Sequence, residues 1–214
     1  MIPADNVLLV HGLWMRSLAM RWLATRMCSQ GFVPRQFGYY SLLQDTDAVV
    51  ARMAAEFRAR PGMHVVAHSL GGLLALRAAE IAGVEHLGRV VCLGSPLAGS
   101  HAASSIVARI PAGARLVGHN RALLRAGVGQ VASGLQVGAI AGCVPRGLGG
   151  VVARFRCEHD GTVAVNETRV PGLAYHVVVH ASHSGLIFSD AVLRQASHFL
   201  RHGRFEHAAE APAV

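Results

Sequence analysis

The chain contains no lysine: its 20 basic side chains, histidine aside, are all arginine. Charge of any kind is scarce, at 15% Asp, Glu, Lys and Arg, and so are aromatics, at 6%. Nucleic-acid grooves interleave basic side chains with aromatic stacking platforms. No such stripe is present, so the net charge of +8 does not point to a nucleic-acid partner. An arginine- and alanine-rich, lysine-free composition is what a GC-rich coding sequence produces. Cys28, Cys92, Cys143 and Cys157 have neither metal-ligand spacing nor a paired framework. Cys92 and Cys157 are expected in core strands, where a free thiol acts as a small hydrophobe. There is no H-E-x-x-H and no carboxylate cluster, so no metal or cofactor is required. No charged leader and apolar h-region precedes the first apolar run, which gives the expectation of a cytoplasmic protein.

What is present is apolar sequence. Hydrophobic residues make up 52% of 214. That length suits one domain, 1–214, with a substantial buried core. Short β-branched runs alternate with helical segments. Strands are expected over 6–10, 32–40, 63–67, 89–93, 151–155 and 174–179, and helices over 17–29, 45–60, 73–82 and 186–202. This alternation indicates a mostly parallel sheet of about six strands flanked by helices. The tail 205–214 is alanine-rich and expected to fray.

The stretch 99–150 breaks the rhythm. No Asp or Glu lies between Glu85 and Glu158, while Arg109, Arg115, Arg121, Arg125 and Arg146 fall inside it. It reads as a cap-like insertion, either a plain loop-and-helix excursion or a lid or apolar acyl-binding wall. Residues 126–144 are uncharged and long enough to span a bilayer. The glycines there, with Gln130, Ser133 and Gln136, argue against that.

The centre of the chain is Val65-Val66-Ala67-His68-Ser69-Leu70-Gly71-Gly72. A strand enters it, a serine sits between small residues, and a helix leaves it. That is the pattern of a nucleophile elbow, with Ser69 at a strained apex. Bulk two residues before or after the serine would clash with neighbouring elements. Gly71 meets the second requirement, and Ala67 replaces the usual glycine at the first.

Parallel sheets bind ligands at the carboxyl ends of their strands. Ser69, Asp160, His183 and the His11-Gly12 turn all follow expected strands. Ser69 is the candidate nucleophile, His183 its base, and Asp160 the group that fixes the imidazole tautomer. His180 rivals His183 from the end of the same strand, and Glu158 and Asp190 rival Asp160. His176, inside a strand, and His198, mid-helix, read as structural. Backbone N–H groups of Leu13 and Leu70 are the candidate oxyanion donors.

These residues carry a resemblance. His11-Gly12, the elbow, Gly94-Ser95-Pro96, Asp160-Gly161-Thr162-Val163 and His183-Ser184-Gly185-Leu186 together resemble α/β-hydrolase-fold lipases and esterases. Within these the chain is similar to small bacterial triacylglycerol lipases and to hydrolases related to GPI-inositol deacylase. Coverage runs from about 6 to 202 and is weakest across 99–150. The resemblance implies a serine carboxylic-ester hydrolase, and the basic, apolar stretch 99–150 adds the expectation of a small-molecule acyl ester or lipid substrate, with peripheral membrane contact. An acyltransferase or thioesterase using the same triad remains open, as does a non-catalytic, membrane-associated binding module.

Overall fold

The structure, a computed structural model, describes residues 5–146, 155 and 157–206. Six strands form one sheet: β1 Asn6–Val10, β2 Val33–Phe37, β3 Met63–His68, β4 Leu87–Leu93, β5 Val137–Gly142 and β6 Tyr175–Val179. Their spatial order is β2-β1-β3-β4-β5-β6, and every pairing is parallel. The helices are α1 Arg21–Cys28, α2 Thr46–Ala59, α3 Leu70–Ala82, α4 His101–Arg109, α5 Gly113–Val117, α6 Arg121–Ala126 and α7 Asp190–His202.

Side chains alternate across each strand, so the two sheet faces build separate cores. Leu8, Val10, Val65, Ala67, Val90 and Cys92 face α2 and α3, with Met53 and Phe57 packed on them. Val7, Leu9, Val66, Val91, Leu93 and Ile140 face α1 and α7, against Leu23, Met27 and Phe199. Phe57 and Phe199 are fully buried. Each such side chain contributes about 1.5–3 kcal/mol. Helix starts follow their capping chemistry. Asp45 caps α2 by accepting from Ala48 N at 3.0 Å, and Ser189 caps α7 by accepting from Val192 N at 3.4 Å.

The order places a topological switch at β1 and β3. Chain leaves β1 toward β2 on one side and leaves β3 toward β4 on the other, so the turns after both strands open one crevice. Ser69 and the His11-Gly12 turn stand at its two sides.

The fifth strand departs from the sequence expectation. Of 151–155, only Phe155 is described, and it belongs to neither helix nor strand. The fifth place is taken instead by β5, inside the stretch expected as an insertion, so the helical excursion ends before Val137. The uncharged run 126–144 therefore ends in a buried strand. No helix among the described residues is long and apolar enough to cross a membrane. β5 reads Val-Gly-Ala-Ile-Ala-Gly, in which Val137 and Ile140 are separated by glycine and alanine rather than forming a β-branched run. Its space is filled from outside: a Cβ on Gly138 would meet the Phe205 and Phe199 rings at 2.7 and 2.8 Å. Cys157 also departs from expectation, being exposed rather than in a core strand.

The tightest approach of backbones lies at the start of α3. A Cβ on Gly71 would sit 2.7 Å from both the Val10 and His11 carbonyl oxygens. Alanine is the better helix former by about 1 kcal/mol, yet backbone carbonyls cannot move aside as side chains do. Gly71→Ala should therefore lower the urea midpoint, by about 1–3 kcal/mol of stability. An unchanged midpoint would show that β1 and α3 can separate at no cost.

Candidate active site

Ser69 has a positive φ of 56°, as the elbow pattern requires. Such backbone costs about 1–3 kcal/mol and persists only where the surroundings fix it. Here Ser69 N–H donates to Leu93 O at 2.9 Å, and its carbonyl accepts from Gly72 N at 3.1 Å. Gly12 lies against it: a Cβ there would stand 2.8 Å from Ser69 Cβ. The turn after β1 and the elbow after β3 are thus in contact through a position that only glycine fits.

Asp160 sits in a tight turn and is buried. Its Oδ1 accepts from Thr162 N at 2.9 Å and Val163 N at 2.8 Å, a local Asx arrangement. That leaves Oδ2 free to accept from His183 Nδ1 at 2.7 Å. His183 N–H also donates to the Asp160 carbonyl at 2.9 Å, so backbone and side chain dock the histidine together. On the far side of the ring, Ser69 Oγ lies 3.0 Å from His183 Nε2. With Nδ1 protonated toward the carboxylate, Nε2 carries the lone pair and accepts a hydrogen bond from the Ser69 hydroxyl.

The rivals lie elsewhere. His180 is exposed, and so is Glu158. Asp190 is the first residue of α7 and pairs with Arg26 at 2.6 Å on the surface. His176 Nε2 meets Thr168 Oγ1 at 2.8 Å. His198 Nδ1 donates to Arg204 O at 2.8 Å.

Two further histidines flank the site. His68 Nε2 lies 2.9 Å from His183 O. A carbonyl only accepts, so Nε2 carries the proton and Nδ1 is bare. Burial, reinforced by nearby His183, pushes the His68 pKa down to about 3. His11 stacks on Tyr39 at 4.2 Å between ring centroids, and burial lowers its pKa too. Both rings are neutral near pH 7, so neither adds positive charge beside His183.

Over Ser69 and His183 lies a cavity of about 470 Å³. Ser69 and His183 border it, and its apolar wall includes Leu13, Ile106, Ile110, Leu116 and Leu124. Most of that wall comes from the three helices between β4 and β5. Leu13 and Leu70 both flank Ser69 in the fold. Leu70 is the first residue of α3, where a helix leaves its N–H unpaired and its dipole positive.

Sequence reading missed Glu167. Its Oε1 accepts from His101 N at 2.6 Å and its Oε2 from Ala164 N at 2.8 Å. One half-buried carboxylate thereby ties the acid turn to the start of α4, and its partial burial raises its pKa. The available signal was an acidic residue three after Ala164, where a turn of 3-10 helix, Val165–Thr168, begins. Among the described residues, no group of three or more His, Cys, Asp and Glu side chains could hold a metal ion.

No family model and no curated protein matches the chain. Solved structures do. The mature lipase BlEst2 of Bacillus licheniformis superposes with a TM-score of 0.76 at 19% identity, over 95% of this chain and 94% of that one. The phospholipase PlaB of Legionella pneumophila, in complex with thio-NAD, gives 0.62 at 17% identity, over 90% of this chain and 56% of that one. The metagenomic carboxyl esterase MGS0156 gives 0.62 at 15% identity, over 85% and 66%. At these identities the likeness is one of fold, and the fold is that of the α/β-hydrolases.

The buried neutral histidines set an acid limit on stability. His68 and His176 titrate near 3 and 4 in the folded chain, against 6.5 when exposed. Below pH 6.5 the unfolded chain therefore binds more protons than the folded one. Stability is full above that pH and falls as pH drops toward the folded values, by up to ~1.4 kcal/mol per unit for each histidine. Urea unfolding measured across pH should show this fall, and His68→Gln should make it shallower. An equal slope in the variant would show that His68 is charged in the folded protein.

Proposed function

We propose that this α/β-hydrolase-fold chain is a serine hydrolase of carboxylic esters, working through an acyl-enzyme. The observation that carries the reading is the continuous contact from Asp160 Oδ2 through His183 to Ser69 Oγ, at 2.7 and 3.0 Å. A hydroxyl is a poor nucleophile until a base takes its proton. In this reading His183 Nε2 takes the Ser69 proton as Oγ bonds to the ester carbonyl carbon. The carbonyl electron pair moves onto oxygen, where the N–H groups of Leu13 and Leu70 donate to it. Collapse of this adduct breaks the bond to the alcohol oxygen, which leaves with the proton from His183. Water then repeats the sequence on the acyl-enzyme and releases the acid. Asp160 stays ionised throughout, holding the tautomer and stabilising the imidazolium.

The wall of Ile106, Ile110, Leu116 and Leu124 favours an acyl or lipid-like substrate. Each methylene placed against it is worth about 0.8 kcal/mol. Trp14 and Leu116 border the cavity and are also 49% and 41% exposed, which supports delivery of substrate from a lipid surface. The matched folds named as lipase, phospholipase and carboxyl esterase agree with this class.

The test is turnover of p-nitrophenyl esters of increasing acyl length. kcat/KM should rise by about 4-fold per methylene until the cavity is full. Asp160→Asn should lower kcat by about 10⁴-fold, because the imidazole then presents the wrong tautomer to Ser69. No hydrolysis at any chain length by the unmodified chain would refute the assignment.

A further inference from the structure

Trp14 follows Leu13 directly and is held in left-handed backbone at φ 60°. That region is rare for any residue but glycine and is poorly suited to a large side chain. It persists only where several contacts impose it. Trp14 N–H donates to Ser41 Oγ at 3.1 Å, and its indole Nε1–H donates to Leu116 O at 2.7 Å.

Both acceptors belong to one assembly. Leu116 lies on α5. Ser41 is buried, and its carbonyl accepts from Asn120 Nδ2 at 2.5 Å. Asn120 is buried just before α6 and also accepts from the Thr46 hydroxyl at 3.2 Å. A Cβ on neighbouring Gly118 would lie 2.9 Å from Leu42 O, so the helical excursion presses on the 41–42 turn. The excursion is therefore fastened to the β2–α2 loop, and Trp14 is fastened to both.

Ester cleavage by the triad uses none of these bonds. They bear instead on the direction of the Leu13 N–H. Gly12 is pinned against Ser69 on one side of Leu13, and Trp14 is tied to Ser41 and Leu116 on the other. We propose that Trp14 is a positioning residue through which helices α4–α6 aim the Leu13 N–H at the developing oxyanion. The proposal rests on the hydrolase reading for the role of Leu13. It makes the excursion part of the catalytic geometry as well as a wall for the substrate.

Kinetics separate the two roles. Trp14→Phe keeps an aromatic ring and removes the indole donor. A misaimed donor should lower kcat by about 10- to 100-fold, with KM changed by no more than about twofold. Ser41→Ala removes the other acceptor and should do the same. The double variant should fall no further than the worse single one, since both act on one backbone group. A KM increase at unchanged kcat, or fully additive losses, would overturn the proposal and leave Trp14 as cavity wall. A loss of Tm at unchanged kcat would overturn it too.

A second readout needs no turnover. The chain has 2 tryptophans, so Trp22→Phe leaves Trp14 as the sole tryptophan, read by excitation at wavelengths tyrosine does not absorb. Ser41→Ala and Asn120→Ala in that background should each increase acrylamide quenching of Trp14. Unchanged quenching in both would overturn the tie itself. A chain inert toward every ester is a failure of the hydrolase reading, and the quenching measurement still decides the tie.

Discussion

Two backbone segments meet at the elbow, and the rest of the site depends on how closely they approach. The carbonyls of Val10 and His11 lie where Gly71 has no side chain, and Gly12 lies against Ser69 Cβ. This contact joins the turn after β1 to the helix after β3 across the switch in strand order. It holds a serine at φ 56° without a compensating side-chain cap. The strain is affordable because the sheet beneath it is buried on both faces, with Leu9, Val66 and Ala67 fully enclosed.

Around that contact the charge is arranged with economy. One carboxylate, Asp160, faces His183, and its second oxygen is occupied by two backbone N–H groups. His68 and His11, the nearest other bases, are kept neutral by burial. Near pH 7 His183 thus faces the Asp160 carboxylate, and neither His68 nor His11 adds positive charge beside it. Glu167 links the acid turn to α4, and Trp14 links the β1 turn to α5. The helices over the cavity are consequently attached to both halves of the site.

Much of this was legible because the signals were local. A β-branched run, a small-Ser-small turn and an apolar helix mark β3, Ser69 and α3 within a single stretch. Asp160-Gly161-Thr162 announces a turn, and His183 stands where a loop meets a helix. What escaped was non-local. β5 is paired on both sides by β4 and β6, and Phe199 and Phe205 fill the space above Gly138, partners that Val137–Gly142 itself does not indicate. The expected strand over 151–155 had the right composition but lies almost entirely outside the described residues. Glu167, Ser41 and Asn120 acquire their roles from partners 66, 27 and 79 positions away, distances at which sequence pattern carries no information.

The central claim is that Ser69 is the nucleophile and that His183, rather than His180, is its base. Fluorophosphonate labelling followed by peptide mapping tests it directly, since the reagent bonds to an activated serine oxygen. The expected result is one adduct on Ser69, lost in His183→Ala and kept in His180→Ala. An adduct on another serine, or undiminished labelling of Ser69 in His183→Ala, would contradict the account.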